Sequence, residues 1–365
     1  MNLAEQHAKL VAELKTSEAV RAAFADHPRH RYIPDMVWPD ATGLPLYRTA
    51  DPDRWASIVY THDAVTTQAN DGGSGAVNTP SSSSSAPQVM VDMIEAAGIE
   101  PGMRVLEIGA GTGWNAAILS SLVGPTGTVT SLEIDPGVAA HARSRLSGTD
   151  VRVITGAEVP GTGAFDALIA TCAVRRVPVE WIERVGLGAH VVVPWAPYAH
   201  GGPTPIAALR KTAESIVVGP FARDGAFMRD RTQRAPVERF PGNGAEPTRT
   251  GIASYGSAEL LDRDLLTRLV LTCPGLYITV GGRPFKGRSA PVIALSSGRS
   301  WAWIWPDGSA TGGGTAPLLE EFTTACERLD DAGWPDLGAF SLEVDTRGGT
   351  YVVRADPLGP WEHPV

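Results

Sequence analysis

Three glycines in "VLEIGAGTG", Gly109, Gly111 and Gly113, stand between an apolar run and a stretch with helical spacing. A backbone lacking Cβ lets a ligand approach closely there, and the first turn of the helix offers unbonded N–H groups. Such a turn suits a nucleotide-bearing cofactor. Glu107, two residues before Gly109, would repel a pyrophosphate but can accept hydrogen bonds from an ammonium group through water or backbone, which favours S-adenosylmethionine over NAD. The next apolar run ends "SLEID" and places Glu133 20 residues after Gly113. An acidic side chain at that point of a doubly wound sheet can hold both ribose hydroxyls.

These residues need a sheet to carry them, and the pattern supplies one. From residue 89 the chain reads as a helix over Val89 to Ala97 stopped by Gly98, the strand "MRVLEIG", a helix after Gly113, the strand "TVTSLEI" and a helix from Pro136. "VRVITG", "FDALIAT" and "HVVVPW" follow, short apolar runs of the kind that a buried parallel sheet requires. Strands alternating with helices predict a doubly wound α/β core over 89–210. Residues 1–65 read as an N-terminal cap, opening on an amphipathic helix with no secretory signature. The polar stretch 66–88 with its serine run reads as a loop, and 211–365 as a smaller α+β domain with hairpin turns at Asp307-Gly308 and Gly348-Gly349.

Bulk composition sets limits. At 43% hydrophobic and 19% charged residues the chain is globular, and no apolar run approaches the ~20 residues that span a bilayer. A net charge of −9 disfavours nucleic acid as partner. Cys172, Cys273 and Cys326 are too scattered for a disulfide framework or metal site, which fits a reducing cytoplasm. His27, His30, His62, His141, His190 and His200 lack metal-ligand spacing, so no metal is expected. Trp301, Trp303 and Trp305 alternate along one strand and are expected in a core or an interdomain contact, with a peptide-binding surface as the alternative, while Arg229 and Arg231 either meet an acidic peptide or are solvated.

"PRHRYIP", "SSSAPQVMVDMIEAAGI", "RVLEIGAGTGWNAAIL", "TVTSLEID", "FDALIATCAVRRVP" and "LGAHVVVPW", in this order and spacing, resemble the protein-L-isoaspartate O-methyltransferase family over about residues 20–200. The resemblance implies a Rossmann-like class I S-adenosylmethionine-dependent methyltransferase fold, with S-adenosylhomocysteine as product. It also implies that the serine run is no linker: Ser85, in Ser85-Ala86-Pro87, takes the catalytic position between methyl donor and acceptor carboxylate. A carboxylate is already a nucleophile near neutral pH, so orientation supplies most of the acceleration. Family members carry Gly-Asp-Gly after the third strand, where this chain has Gly156-Ala157-Glu158, leaving adenine to Glu158 by a one-residue shift or to backbone N–H groups.

The length of the stretch before Ser85 and the C-terminal extension resemble the actinobacterial branch that modifies ribosomally made peptides: graspetides with their ATP-grasp ligases, lanthipeptides and lasso peptides. That resemblance implies esterification of an ordinary L-aspartate in a constrained precursor peptide, then displacement of methoxide by the next backbone nitrogen to give an aspartimide that persists or hydrolyses to isoaspartate. Thr67, Gln68, Ser83 and Ser84 would meet the peptide together with the C-terminal domain. One rival is isoaspartate repair on many damaged proteins. Another is a noncatalytic cofactor-binding chaperone that presents the precursor to a ligase. Oligomeric state is not encoded in any feature of the sequence.

Overall fold

A computed structural model describes the chain except for Met1 and residues 40–42, 76, 162, 199–201, 235–238 and 262. The fold divides into two compact units, 1–172 with 180–193, and 173–179 with 194–365.

The first unit is built on five parallel strands in the order Val185–Pro194, Phe165–Ala170, Arg104–Ile108, Thr128–Glu133 and Arg152–Thr155. The winding therefore reverses beside Arg104–Ile108, and ligands of such sheets bind at the carboxyl ends next to that reversal. Apolar runs become strands because both faces are covered: Val105, Leu106, Ala167, Leu168, Val191 and Val192 are all fully buried. Each such leucine or valine contributes about 1.5–3 kcal/mol. Helix starts follow local chemistry. Pro87 and Pro136 open Pro87–Ala97 and Pro136–Arg145, where a missing N–H costs nothing, and Gly98 at φ +56 closes the first of them.

Ahead of the sheet lie the helices Leu3–Glu13, Glu18–Asp26 and Pro52–Val59. The predicted first helix is two, because the Glu95 carboxylate takes the Thr16 hydroxyl at 2.7 Å and the Ser17 N–H at 3.0 Å, holding the break open. These segments cluster with the sheet and form no separate cap. A second correction concerns 66–88, expected as loop: Val65–Ala69 and Pro80–Ser84 form an antiparallel hairpin. Serine is a poor strand former, but alternation rescues it, with Ser82 and Ser84 buried and Ser81 and Ser83 half-buried.

The second unit holds two antiparallel sheets. One runs Trp361–Glu362, Thr350–Arg354, Ser341–Asp345, Ile216–Arg223, Ile206–Lys211; the other Arg249–Ile252, Ser309–Gly313, Ser300–Ile304, Arg288–Ser297, Tyr277–Phe285. The expected boundary at 210 cuts the strand Ile206–Lys211 away from its partner Ile216–Arg223, whereas the second unit takes in 173–179 and runs continuously from Pro194. Trp301 and Trp303 lie in the core with Val292 and Ala294, as expected of them, and Trp305 packs partly buried against that cluster. Among the described residues, no helix is long and apolar enough to cross a membrane.

Candidate active site

The glycine turn closes the strand Arg104–Ile108 with φ of +93, +53 and +84 at Gly109, Gly111 and Gly113, values that only glycine adopts without strain. Space is short as well as conformation. A Cβ at Gly109 would stand 2.5 Å from Thr171 Oγ1, and one at Gly111 3.4 Å from the Ser83 carbonyl. Thr171 follows the neighbouring strand Phe165–Ala170 and donates its hydroxyl to the Gly109 carbonyl at 2.6 Å, tying the two carboxyl ends together across the reversal. The serine strand thus lies directly over the turn.

Two glutamates serve this turn differently. Glu133, 7% exposed, accepts the Gly111 N–H at 2.9 Å and the Asp135 N–H at 3.0 Å, so it sits at the strand's carboxyl edge and shapes the turn. Asp135 caps the next helix through the Gly137 and Val138 N–H groups and takes Gln68 Nε2 at 3.0 Å, anchoring the hairpin at the same edge. Glu107 is fully buried, its carboxylate held by Asn115 Nδ2 at 2.8 Å and by the Ser131 hydroxyl. Burial raises its pKa from 4.5 to about 7, with the Ser131 and Asn115 hydrogen bonds opposing and the Glu133 charge adding.

This raised pKa has a testable sign. The folded protein holds the Glu107 proton up to about pH 7 and the unfolded chain releases it near 4.5, so this group costs stability progressively across that window and fully above it. Glu107→Gln removes a cost on the order of 3 kcal/mol. Thermal melts are expected to show the variant gaining on the wild type between pH 5 and pH 8; a gap that does not change with pH refutes the assignment.

The hairpin carries Ser85 to the turn. Its side chain is half-buried, and among the described residues its hydroxyl makes no hydrogen bond. The preceding backbone is held by a residue that sequence reasoning missed. Arg29, with no exposure, donates Nε to Ser84 Oγ at 3.2 Å, Nη1 to the Val59 and Thr61 carbonyls, and Nη2 to the carbonyls of Asp63, Ser84 and Ser85 at 2.9–3.0 Å. Its guanidinium also lies 5.2 Å from the Trp114 ring centre. Burial pushes its pKa down from 12.5 to about 9, against the pull of Tyr60 and Asp63. Ser84, expected to meet substrate, instead turns inward at 2% exposure and belongs to this scaffold.

With this geometry in hand, similarity to known proteins is informative. A family model described as protein-L-isoaspartate(D-aspartate) O-methyltransferase matches residues 51–220. A protein-L-isoaspartate O-methyltransferase of Ignicoccus hospitalis is 37% identical over 116 residues, 30% of this chain and 55% of that one, so the match spans little over half of that relative. The one from Gloeobacter violaceus is 32% identical over 184 residues, 49% of this chain and 74% of its own. The chain belongs to the protein-L-isoaspartate O-methyltransferase family. A solved structure under that name, 23% identical, with a TM-score of 0.54, covers 96% of this chain and 99% of its own, so the likeness in fold to that structure extends over both units.

The remaining expected residues divide. Thr67 is half-buried and donates to Ser82 Oγ at 3.4 Å, while Gln68 accepts from Ser81 Oγ at 2.9 Å, so both brace the hairpin. Gly156, at φ +131, bonds through its N–H to the Glu133 carbonyl, which brings the third strand's end to the same edge. Ala157 and Glu158 follow it exposed, and Glu158 has no polar partner among the described residues. Arg229 is half-buried and donates both Nε and Nη2 to the Tyr198 carbonyl. His27, His62 and His141 are hydrogen-bonded to Ser121, Glu13 and the Tyr32 carbonyl, and His30 to Tyr60. His200 lies outside the described residues.

Proposed function

We propose that this chain is an S-adenosylmethionine-dependent carboxyl O-methyltransferase acting on isoaspartyl residues of proteins. The observation that carries the reading is the Ser85 hydroxyl, without a hydrogen-bond partner among the described residues, at the end of a hairpin laid over the glycine turn. The residues fit the cofactor. A Cβ at 111 would fill the space between turn and hairpin, and a carboxylate such as Glu133, with about four acceptor sites, can take ribose hydroxyls besides its two backbone N–H groups. Exposed Ala157 and Glu158 are left to border the adenine.

When bound, S-adenosylmethionine supplies an electrophilic methyl group whose C–S bonding pair leaves with sulfur. The protein's part is positioning. Ser85 donates its hydroxyl to one oxygen of the acceptor carboxylate, so that the other is aimed along the line of displacement. No base is required, because the acceptor is already ionised; alignment accounts for the acceleration. Thr67, Gln68 and Ser83 brace or border the acceptor side.

A second reading, esterification of an L-aspartate in a modified precursor peptide on the way to an aspartimide, is favoured by one observation. The 70–79 turn of the hairpin is tied down, with Thr79 N–H on Asn70 Oδ1 at 2.9 Å and Asn78 Nδ2 on the Gly43 carbonyl at 2.8 Å. A bonded rim suits a shaped acceptor more than a permissive one. Mass spectrometry with S-adenosylmethionine and two acceptors separates the readings. Methylation of a generic isoaspartyl peptide supports repair. Methylation then net loss of water on a cyclised precursor alone supports the second reading. Binding of the precursor with no mass change on either acceptor leaves the noncatalytic alternative.

A further inference from the structure

Arg29 is a buried cation that donates to no carboxylate among the described residues: every acceptor is a backbone carbonyl or the Ser84 hydroxyl. Burying such a charge costs several kcal/mol, and it would be replaced at little loss by an apolar residue if filling space were its only task. Its acceptors fall in two sets. Val59, Thr61 and Asp63 lie before the hairpin; Ser84 and Ser85 lie 55 and 56 residues beyond Arg29, where the hairpin hands over to the helix Pro87–Ala97. Two adjacent carbonyls bound to one nitrogen fix the peptide plane on each side of the Ser85 Cα, and with it the direction of the Ser85 side chain.

We propose that Arg29 is a positioning residue for methyl transfer, clamping the backbone at Ser84 and Ser85 so that the Ser85 hydroxyl is held toward the acceptor. The inference rests on the carboxyl methyltransferase reading. A lysine in its place keeps the charge but offers three donors from one point, and cannot bridge the two sets of carbonyls.

Arg29→Lys, assayed in the full chain against whichever acceptor the wild type methylates, is expected to lower kcat by about 10²-fold. S-adenosylhomocysteine affinity stays unchanged by calorimetry, and hydrogen–deuterium exchange rises in peptides covering 80–86 while the parallel strands keep their protection. The proposal is overturned if kcat and exchange match the wild type, or if exchange rises throughout the first unit and cofactor affinity falls in step with kcat, which marks a purely structural arginine. If wild-type protein methylates neither acceptor, the functional reading fails instead, and local exchange alone decides whether the clamp exists. Should Arg29→Lys not fold, Ser84→Ala, which removes one anchor, is expected to lower kcat a few-fold with a smaller local rise in exchange; no change in either overturns the clamp.

Discussion

Replacing Ser85 by alanine is expected to lower kcat by about 10²-fold while S-adenosylhomocysteine binds as tightly as before. The structure makes this substitution unusually clean. The hydroxyl has no partner among the described residues, so its loss orphans no buried group, and the bond that fixes the local backbone runs from Arg29 to the Ser85 carbonyl, which alanine retains. Unfolding therefore does not confound the result, and melting within a degree or two of the wild type is the control. Initial rates with saturating S-adenosylmethionine, alongside calorimetry, give the answer. A kcat within about threefold of the wild type removes Ser85 from the mechanism, since a single positioned donor in such a site is worth roughly 10²–10³.

Glu133→Ala has the opposite signature: cofactor affinity is expected to fall by at least about 10²-fold. Two hydrogen bonds to a charged acceptor, at roughly 1.5–3 kcal/mol each, set the scale. The loss is compounded because the same carboxylate holds the Gly111 and Asp135 N–H groups, so the turn loosens when it is removed. Glu133→Gln, which keeps one carbonyl oxygen but adds donors facing those N–H groups, should fall between. Calorimetric titration with S-adenosylhomocysteine checks both variants. An alanine variant that binds like the wild type would place the ribose elsewhere. Taken with Ser85→Ala, the pair separates a residue acting on the acceptor from one acting on the donor.

The core was legible because its signals are local. Apolar runs such as "VLEI" and "ALIA" are strands wherever both faces are covered, Pro87 and Pro136 start helices by their fixed φ, and three glycines at alternate positions need a turn of left-handed residues. Glu133 was legible for the same reason, by its distance from that turn. Arg29 was not. It shares "PRHRYIP" with exposed Arg31, and nothing within those seven residues tells which side chain will find carbonyls more than fifty positions away. Glu107 reads in the sequence as an acceptor for a ligand's ammonium group, but its carboxylate turns inward to Asn115 and Ser131, a choice set by packing that the motif does not carry. Ser84 and Ser85 are chemically identical in sequence, and only the fold separates them, burying Ser84 at the end of its strand and leaving Ser85 half-buried just beyond it.

The alternation along Pro80–Ser84 has an awkward corollary. In most strands a slip of one position would swap apolar and polar faces and be rejected by the core. A strand reading Pro80-Ser-Ser-Ser-Ser followed by Ser85 has no such error correction, since the slipped copy presents the same letters to both sides. Its alignment must be dictated from outside: by the Asn70–Thr79 and Gln68–Ser81 bonds at one end and by the Arg29 carbonyl bonds at the other. Weakening both ends together would not melt this strand so much as leave it undecided, with Ser84 and Ser85 trading places and only one of the two alignments able to hand a hydroxyl to the acceptor.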